Sequence, residues 1–518
     1  MNVGIAADRR LPVPVTTFGP LALLAHRVHR LAHSGRCHEA LDAADAYLVV
    51  ARAVGDAKTV PFLIQGKMYA LLNMGRIPEA TLLGRQLLRL HHASGNVLGE
   101  AKVLCDLAQL DVLSARYVDG MRNLARAGAL LDGTTGDSDR RRSALCSFAE
   151  AATAAEMYET AAAAYEDLSS ASPAFELVHA VTLLYWGLRL GHVGRSDEGA
   201  TRLRRSAAIT RRRVEMRTDD FRSGAMLALA LAKLGEVIPA EKLARDAIMP
   251  LRADENFQYA RMAHLALGIS LRAQGSLLEA RRELVAAREL CDLSPRPDEP
   301  PIIRFEMALT ALELDGSQSS RDLFDTVEAQ VRELWRMRLL RLAMLRQARQ
   351  REELDAARRR AEREILRDPL TGLGNRRRFD LLLHHIDAGQ IGLPLALLLV
   401  DIDHFKAVND AYSHIAGDRA LREVAGILRA HCRAEDVPVR YAGDEFTIFL
   451  RGDASVGREV AERIRAAVAK ADILPGVRLT VSVGMAVLSD GMTGDDLFRV
   501  ADERLYAAKW SGRNAIAA

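Results

Sequence analysis

Apolar positions in the first three hundred residues recur with the spacing of amphipathic helices. Apolar segments such as FLIQGKMYALLNM and MLALALAKL each lead to a turn, and a second helical segment then begins at an acidic residue. An acid in the first turn of a helix interacts favourably with the helix dipole. These acidic positions are Glu39, Glu79, Asp119, Glu159, Glu198 and Glu279, with Pro239 in the equivalent place once. Successive spacings of 40, 40, 40, 39, 41 and 40 residues predict seven helix pairs.

This pattern resembles the tetratricopeptide repeat superfamily, in a variant with about 40 residues per unit. Pairs of this kind cannot bury their apolar faces alone, so they stack into a solenoid. The resemblance implies an all-α tetratricopeptide-like solenoid over residues 19–317, after a flexible tail over residues 1–18. The solenoid is expected either to bind an unidentified protein or small ligand, or to act as a scaffold and dimerisation spacer.

A long connector helix is predicted over residues 318–367, where no proline or glycine interrupts a charged segment. Apolar residues recur there at spacings near three and four, which indicates a weak parallel coiled coil. The predicted seam contains Val327, Val331, Leu334, Met337, Leu340, Met344, Leu354, Ala361 and Ile365, and it is interrupted by Gln347, Arg351 and Arg358. A weak seam suits a dimer helix that can switch. The alternative is a single helix that caps the solenoid.

The remaining residues, 368–518, alternate strand and helix patterns and predict a sheet covered by helices. The buried strand LALLLVDID ends in Asp401 and Asp403, and the hairpin VPVRYAGDEFTIFL carries Asp444 and Glu445 at its turn. If these strands are neighbours, their carboxylates converge, which costs free energy unless a cation lies between them. Oxygen ligands favour Mg²⁺ bound together with phosphates. The pattern therefore indicates phosphoryl or nucleotidyl transfer.

Composition narrows the possible partners. The 518 residues are 49% hydrophobic and 27% charged, and a net charge of +3 from 71 basic and 68 acidic residues predicts no nucleic-acid partner. Five scattered cysteines favour neither disulfides nor a zinc site. The pairs His91–His92 and His384–His385 are poor chelators, because adjacent helical residues point in different directions. No apolar run is long enough for a membrane span, so a cytoplasmic protein is expected.

Six ordered motifs then give a specific resemblance. The segments DPLTGLGNRR, DIDHFKAVND, AGD, RYAGDEF, TVSVG and AKWSGRN resemble the GGDEF family, the diguanylate cyclases, from Asp368 to the end of the chain. The resemblance implies an α/β domain with the adenylyl-cyclase-like palm, a mixed five-stranded sheet. It also implies condensation of two GTP to cyclic di-GMP and two pyrophosphates. Each domain of a homodimer would supply half of the site, under control of the repeat domain and connector helix.

The same resemblance implies roles for individual residues. Two Mg²⁺ ions (Mn²⁺ is also possible) would be held by Asp401, Asp444 and the carbonyl of Ile402. Glu445 would assist the metal and the attacking hydroxyl. The phosphates would be bound by Lys406, the backbone of His404 and Phe405, Lys509 and Arg513. Asn409 and Asp418 would read the guanine. An inhibitory site for cyclic di-GMP would use Arg433, Asp436 and Arg463.

An inactive GGDEF domain that acts as a cyclic di-GMP receptor or scaffold is the alternative. The retained acids and lysines favour the active enzyme. Ala442 departs from the family motif, which has glycine there. Alanine is tolerated at little cost only where φ is negative, so we predict a negative φ at Ala442.

Overall fold

The computed structural model describes residues 19–136, 138–293, 299–474 and 477–518. The predicted tail over residues 1–18 lies outside the described residues. The chain divides into two compact units, Met1–Leu354 and Asp355–Ala518. Within the described ranges, no helix is both long enough and apolar enough to cross a membrane.

The first unit is helical, and its helices follow one another as the seven predicted pairs. The pairs are α1 (Ala22–His33) with α2 (Cys37–Ala53), α3 (Thr59–Asn73) with α4 (Ile77–Ala93), α5 (Val97–Leu113) with α6 (Tyr117–Asp132), α7 (Asp139–Ala154) with α8 (Tyr158–Ala171), α9 (Glu176–His192) with α10 (Ser196–Met216), α11 (Phe221–Lys233) with α12 (Val237–Ala253), and α13 (Phe257–Ala273) with α14 (Leu277–Leu293). Two further helices follow, α15 (Glu299–Asp315) and α16 (Gln318–Ile365). The assignment to a tetratricopeptide-like repeat stays a prediction.

Consecutive helices of this unit pack against one another, and the first helices of several neighbouring pairs also touch. The turn inside each pair contains a residue with positive φ, which is usually glycine. Ala115 and Glu156 occupy this position in two of the turns, with φ of 57° and 60°. A left-handed backbone costs a non-glycine residue roughly 1 kcal/mol, so these two turns are locally strained.

A buried ionic cluster fastens α15 to the pairs before it. The Glu306 carboxylate is fully buried and lies 2.8 Å from Lys233 Nζ, 2.8 Å from Arg272 Nη2 and 2.9 Å from His192 Nε2. Burial alone would raise the pKa of Glu306, but Lys233, His192 and Arg272 together lower it well below its usual value. A carboxylate with this many partners can remain charged inside a helical core.

The connector is observed as the single helix α16, whose first part packs against the other helices of its unit. Val331 and Leu345 are each only 1% exposed. Val331 and Val327 form a small cluster with Ala308, and Leu345 belongs to the cluster around Phe148. This part of α16 therefore packs on the helical repeats, as in the second of the two predicted options, a single helix that caps the solenoid. Pairing of α16 with a second copy stays a prediction.

The second unit is built on five strands and five helices. In chain order these are α17 (Arg376–Asp387), β1 (Leu395–Ile402), α18 (Phe405–Tyr412), α19 (His414–His431), β2 (Val437–Ala442), β3 (Glu445–Arg451), α20 (Ala454–Lys470), β4 (Val481–Val487), α21 (Gly494–Trp510) and β5 (Ile516–Ala517).

The strands form one sheet in the order β2-β3-β1-β4-β5. All pairs are antiparallel except β4 with β5, so the predicted mixed five-stranded sheet is confirmed. Strand β1 is buried along its whole length, because its alternate side chains enter two different apolar clusters. Helices cover both faces of the sheet, and the polar residues that end β1 lie at its rim.

Candidate active site

The two acidic strand ends meet at one edge of the sheet. Strand pairing places Asp401 on β1 directly opposite Glu445 on β3, and Asp444 precedes Glu445 in the turn. Asp401 is buried, whereas Asp444 and Glu445 are partly exposed. Three carboxylates therefore converge where β1 and β3 pair, as their positions on neighbouring strands predicted.

This convergence is electrostatically unfavourable for the acids. Burial raises the pKa of Asp401, and the charges of Asp444 and Asp403 raise it further. Burial likewise raises the pKa of Glu445, with Asp401 as the next contribution. Lys509 opposes both shifts, and its Nζ lies 2.7 Å from Asp401 Oδ2. A cation thus already lies among the acids.

The turn between β2 and β3 tolerates the alanine of the motif. Gly443 has a φ of 45°, whereas Ala442 is the last residue of β2 and is not among the non-glycine residues with positive φ. The predicted negative φ at Ala442 is confirmed. Arg440 Nε donates to the carbonyl of Gly443 at 2.9 Å and so supports the turn. The Arg440 guanidinium also lies 3.3 Å from Asp368.

The residues after β1 turn directly into α18. His404 has a left-handed φ of 58° at the start of α18, Phe405 is buried, and Lys406 is exposed in the first turn. Asn409 on the same helix packs closely against Gly417 of α19. A Cβ atom added at Gly417 would be only 1.9 Å from the side-chain oxygen of Asn409. The absence of a side chain at Gly417 therefore allows Asn409 to lie beside the part of α19 that carries the exposed Asp418.

Ser413 joins α18 to α19 with a φ of 134° and a ψ of 162°. This region of backbone conformation is populated almost entirely by glycine, so a serine there is strained. Its Oγ accepts the backbone N–H of Ala416 at 3.4 Å. Nothing in the sequence pattern indicated this strain, because serine is an ordinary residue before a helix.

Asp403 has a role that the sequence reasoning missed. Its carboxylate is buried and accepts hydrogen bonds from Ser482 Oγ and Thr480 Oγ1, both at 2.7 Å, and from the backbone N–H of Asn514 at 3.0 Å. The two acids of the DID segment therefore have different environments. Asp401 faces other carboxylates, whereas Asp403 is surrounded by donors.

The other basic residues of the proposed phosphate site lie near the end of the chain. Lys509 is in the last turn of α21, and Arg513 is exposed in the loop that follows. Gly512, Arg513 and Asn514 have consecutive positive φ values of 112°, 62° and 44°. This unusual loop reaches the sheet edge through the contact between Asn514 and Asp403.

Two of the three residues expected to form the product site share one surface loop, and the third is on helix α20. The Asp436 carboxylate accepts the backbone N–H groups of Arg433 at 2.7 Å and Arg451 at 3.1 Å. Arg463 contacts Glu459 at 3.1 Å and the carbonyl of His431 at 3.4 Å. Asp436 therefore closes the loop that presents Arg433, and Arg463 lies beside this loop.

The residues at the sheet edge fit a divalent metal ion. All three carboxylates are hard oxygen donors, and the nearest cation, Lys509, compensates them only in part. Among the described residues, no group of three or more His, Cys, Asp or Glu side chains is arranged to hold a metal ion by itself. A metal ion here would need further oxygen ligands, as Mg²⁺ does when it binds with phosphates.

Comparison with known proteins identifies this unit. Residues 365–515 match the family described as diguanylate cyclase, GGDEF domain. The chain is 37% identical over 163 residues to the diguanylate cyclase DgcP of Pseudomonas aeruginosa, covering 30% of this chain and 24% of that protein. It is 40% identical over 160 residues to the response regulator PleD of Caulobacter vibrioides, covering 29% and 35%. The chain thus spans about a quarter to a third of these relatives.

Solved structures also match part of the chain. The crystal structure of the coiled coil and GGDEF domain of DgcB from Caulobacter crescentus, in complex with c-di-GMP, is 31% identical in sequence. The match has a TM-score of 0.32 and covers 34% of this chain and 98% of that one. The diguanylate cyclase SiaD from Pseudomonas aeruginosa, solved with its activator SiaC, is 28% identical with a TM-score of 0.33, covering 45% and 90%.

The first prediction concerns the repulsion at the sheet edge. Glu445→Gln removes one of the repelling charges, so without divalent metal at pH 7.5 it should raise the unfolding temperature of this unit by about 1–4 °C. Because the pKa of Glu445 is raised in the folded state, ionisation destabilises the fold, and the gain should disappear below the unfolded pKa of about 4.3. With saturating Mg²⁺ the order should reverse, because the wild type binds the metal better.

Calorimetry of the whole chain at several pH values measures this effect. Glu503→Gln, an exposed acid paired with Arg499, is the matched control and should change little. A lower unfolding temperature for Glu445→Gln in metal-free buffer at pH 7.5 would show that Glu445 does not destabilise the fold.

Proposed function

Because residues 365–515 belong to the GGDEF domain family, we propose that this unit is a diguanylate cyclase. It condenses two GTP molecules into cyclic di-GMP and releases two pyrophosphates. The observation that carries the proposal is the pairing of Asp401 with Glu445 at a sheet edge, where Lys509 Nζ lies 2.7 Å from Asp401. A cation site next to further basic residues suits a nucleoside triphosphate and its metal.

Asp401, Asp444 and the carbonyl of Ile402 would hold two divalent ions, Mg²⁺ or Mn²⁺. When bound, such ions lower the pKa of an attacking hydroxyl and neutralise charge on the phosphates. Glu445, which lies opposite Asp401, would assist the metal and the attacking hydroxyl. The raised pKa values of Asp401 and Glu445 support this role, since a divalent ion relieves the repulsion that raises them.

The triphosphate would bind to positive groups on two sides of the acids. The backbone N–H groups of His404 and Phe405 are at the start of α18, where the helix dipole favours an anion, and Lys406 follows in the first turn. Lys509 and Arg513 neutralise the β and γ phosphates. Lys509 contacts Asp401 in this structure, so it exchanges a carboxylate for a phosphate when substrate binds.

Asn409 and Asp418 would select guanine. A carboxylate at Asp418 accepts hydrogen bonds from the guanine N1–H and amino group. Adenine has an unprotonated N1, which would repel the same carboxylate. The close contact between Asn409 and Gly417 supports a shared role of Asn409 and Asp418, because Gly417 immediately precedes Asp418 in the sequence.

The reaction joins two half-sites. The 3′-hydroxyl of one GTP attacks the α-phosphorus of the other, a new oxygen–phosphorus bond forms, and the bond from the α-phosphorus to the bridging oxygen breaks. Pyrophosphate leaves and the hydroxyl proton is lost; the second, reciprocal attack closes the ring. Each GTP would occupy one GGDEF domain, so the two reciprocal attacks require two such domains face to face. We therefore propose a homodimer as the active form.

The rest of the chain would govern that dimerisation. We assign residues 19–317 to a tetratricopeptide-like repeat domain, residues 318–367 to a connector that can pair as a coiled coil, and residues 368–518 to the cyclase. An unidentified protein or small ligand on the repeat domain would be the input. GTP is a cytoplasmic nucleotide, so we propose that the protein works in the cytoplasm.

Activity is tested with the purified full chain, Mg²⁺ or Mn²⁺, and GTP. The wild type should form cyclic di-GMP with two pyrophosphates per product. Asp444→Ala should lower the rate by at least about a hundredfold, because losing a direct metal ligand should cost more than the roughly 10–100-fold lost with an outer-shell partner. Asp453→Asn, at the start of α20, is the control and should stay within about twofold. No product from a demonstrably dimeric wild type would contradict the proposal and favour a receptor role.

Product binding is tested separately. We propose that Arg433, Asp436 and Arg463 bind cyclic di-GMP, since Asp436 closes the loop that presents Arg433 and Arg463 lies beside it. Arg433→Ala should weaken binding by at least about tenfold, because guanidinium contacts to phosphate and guanine are lost. Calorimetric titration with cyclic di-GMP measures this. Equal affinity in the wild type and Arg433→Ala would rule out this site.

A further inference from the structure

The loop that carries Arg513 is held in an unfavourable conformation. Arg513 and Asn514 both have left-handed φ values, and each such residue costs a non-glycine side chain roughly 1 kcal/mol. A strained loop of this kind persists only where surrounding contacts determine it. Its far end is fixed by the sheet, because Val483 on β4 donates to the carbonyl of Ala515 at 2.9 Å.

Asp403 fixes the residue just before Ala515. Its Oδ2 accepts the backbone N–H of Asn514 at 3.0 Å, so the residue after Arg513 is tied to a carboxylate two positions from Asp401. Thr480 and Ser482 hold the Asp403 carboxylate in place from β4 and the residue before it. Arg465 of α20 adds a second contact to Asn514, with Nη1 at 2.8 Å from Oδ1.

We infer that Asp403 is a positioning residue for the phosphate-binding Arg513. A buried carboxylate with three donors is rigid, and it holds the loop at the sheet edge where Asp401 and Lys509 meet. The inference rests on the proposed binding of a nucleoside triphosphate. Asp403 itself contacts no phosphate in this account; it acts through the backbone beside Arg513.

A double-mutant cycle tests this inference. Asp403→Asn replaces an acceptor by an amide that must point a donor at other donors, so the loop loosens and kcat/KM for GTP should fall at least about tenfold. Arg513→Ala should also lower kcat/KM. Because Asp403 acts through Arg513, the double variant should match Arg513→Ala within about twofold. A loss equal to the product of the single losses would overturn the inference.

A second readout separates this inference from the proposed reaction. Binding of GTP with a methylene bridge between its α and β phosphorus atoms is measured by calorimetry, and it requires no turnover. Asp403→Asn should weaken this binding in the wild-type background and have no effect in Arg513→Ala. If the wild type binds the analogue but forms no cyclic product, the proposed reaction fails while this test still applies.

Arg465→Gln keeps the test valid if Asp403→Asn does not fold. It removes the contact to Asn514 and a surface ion pair with Glu462, neither of which lies in the core, so the fold should be retained. Arg465→Gln should weaken binding of the GTP analogue in the wild-type background and should have no effect in the Arg513→Ala background. Arg499→Gln on α21 is the matched control and should leave analogue binding unchanged. Equal effects of Arg465→Gln with and without Arg513 would show that the loop contacts do not act through Arg513.

Helix α16 is held on the turn between α7 and α8 by two arginines. Arg338 Nε donates to the carbonyl of Glu156 at 2.8 Å, and Arg338 also pairs with Glu159. Arg341 Nη2 lies 2.6 Å from Glu156 Oε2. Glu156 is thus the central partner of the docked helix.

The turn that receives α16 has one strained residue and one poorly paired charge nearby. Glu156 has the left-handed backbone of these turns, at a position where most of the equivalent turns have glycine. Arg189 is 1% exposed, and its guanidinium nitrogens have no hydrogen-bond partner; the nearest acid, Glu156 Oε1, is 3.7 Å away. A buried charge without hydrogen bonds is strongly destabilising, so Arg189 competes with Arg341 for the same carboxylate.

We propose that Glu156 is an exchange point, bound to Arg341 when α16 is docked and to Arg189 when α16 is released. Val327, Val331 and Leu345 are buried by docking. Val327 and Val331 also belong to the predicted coiled-coil seam, so they can pair with a second copy only after release. Docking and pairing of this part of α16 therefore exclude each other, and the missing hydrogen bonds of Arg189 weaken the docked state relative to the released one.

Opposite substitutions in the full chain test the exchange. Arg189→Met removes the competing cation, so it should slow hydrogen exchange in residues 335–348 by at least about threefold and reduce dimer formation in sedimentation. Arg341→Met should have the opposite effect on both measurements. Arg346→Met, an exposed arginine of the same helix, is the control. Faster exchange in Arg189→Met would show that Arg189 supports docking and would overturn the proposal.

Discussion

The second unit depends on one unfavourable arrangement, the convergence of carboxylates where β1 and β3 pair. The register that places Asp401 opposite Glu445 is imposed by the apolar residues of β1, which are buried on both faces of the sheet. A shift of β1 by one residue relative to its neighbours would move each of its side chains to the opposite face of the sheet. The core therefore fixes the position of the acids. The hydrophobic core thus stabilises a charge arrangement that would be unfavourable by itself, and the proposed metal and triphosphate relieve it.

The same electrostatic principle appears in the first unit. The buried guanidinium nitrogens of Arg189 have no hydrogen-bond partner, whereas the buried Glu306 carboxylate has three basic partners. In both units an incompletely compensated charge lies next to a group that can exchange partners. Lys509 can leave Asp401 for a phosphate, and Glu156 can leave Arg341 for Arg189. Such sites let binding shift an equilibrium at moderate cost.

Much of the fold could be predicted because it follows from periodic patterns. The forty-residue spacing predicted the helix pairs, and the alternation of strands and helices predicted the sheet that brings Asp401 and Glu445 together. The negative φ at Ala442 was also predictable, since a strand residue accommodates a methyl group. Individual side-chain partners were not predictable, because they depend on distant elements. Asp403 and Asp401 look alike in the DID segment, yet one faces donors and the other faces acids.

Backbone conformation was the other limit. Ser413 and Glu156 occupy positions that favour glycine, and local sequence does not reveal strain that tertiary contacts maintain. For α16 the seam pattern was compatible with two partners, because an apolar stripe fits a repeat surface as well as a second helix. The structure has Val331 buried within its own unit.

The central claim is that the acids at the sheet edge bind a divalent ion that replaces Lys509. A crystal structure with Mg²⁺ and the methylene-bridged GTP analogue measures this directly, through the distance from Lys509 Nζ to Asp401 Oδ2. The account predicts that Lys509 leaves its present 2.7 Å contact for the phosphates while Asp401 coordinates the metal. A bound nucleotide with Lys509 still paired to Asp401, and no metal between the acids, would contradict it.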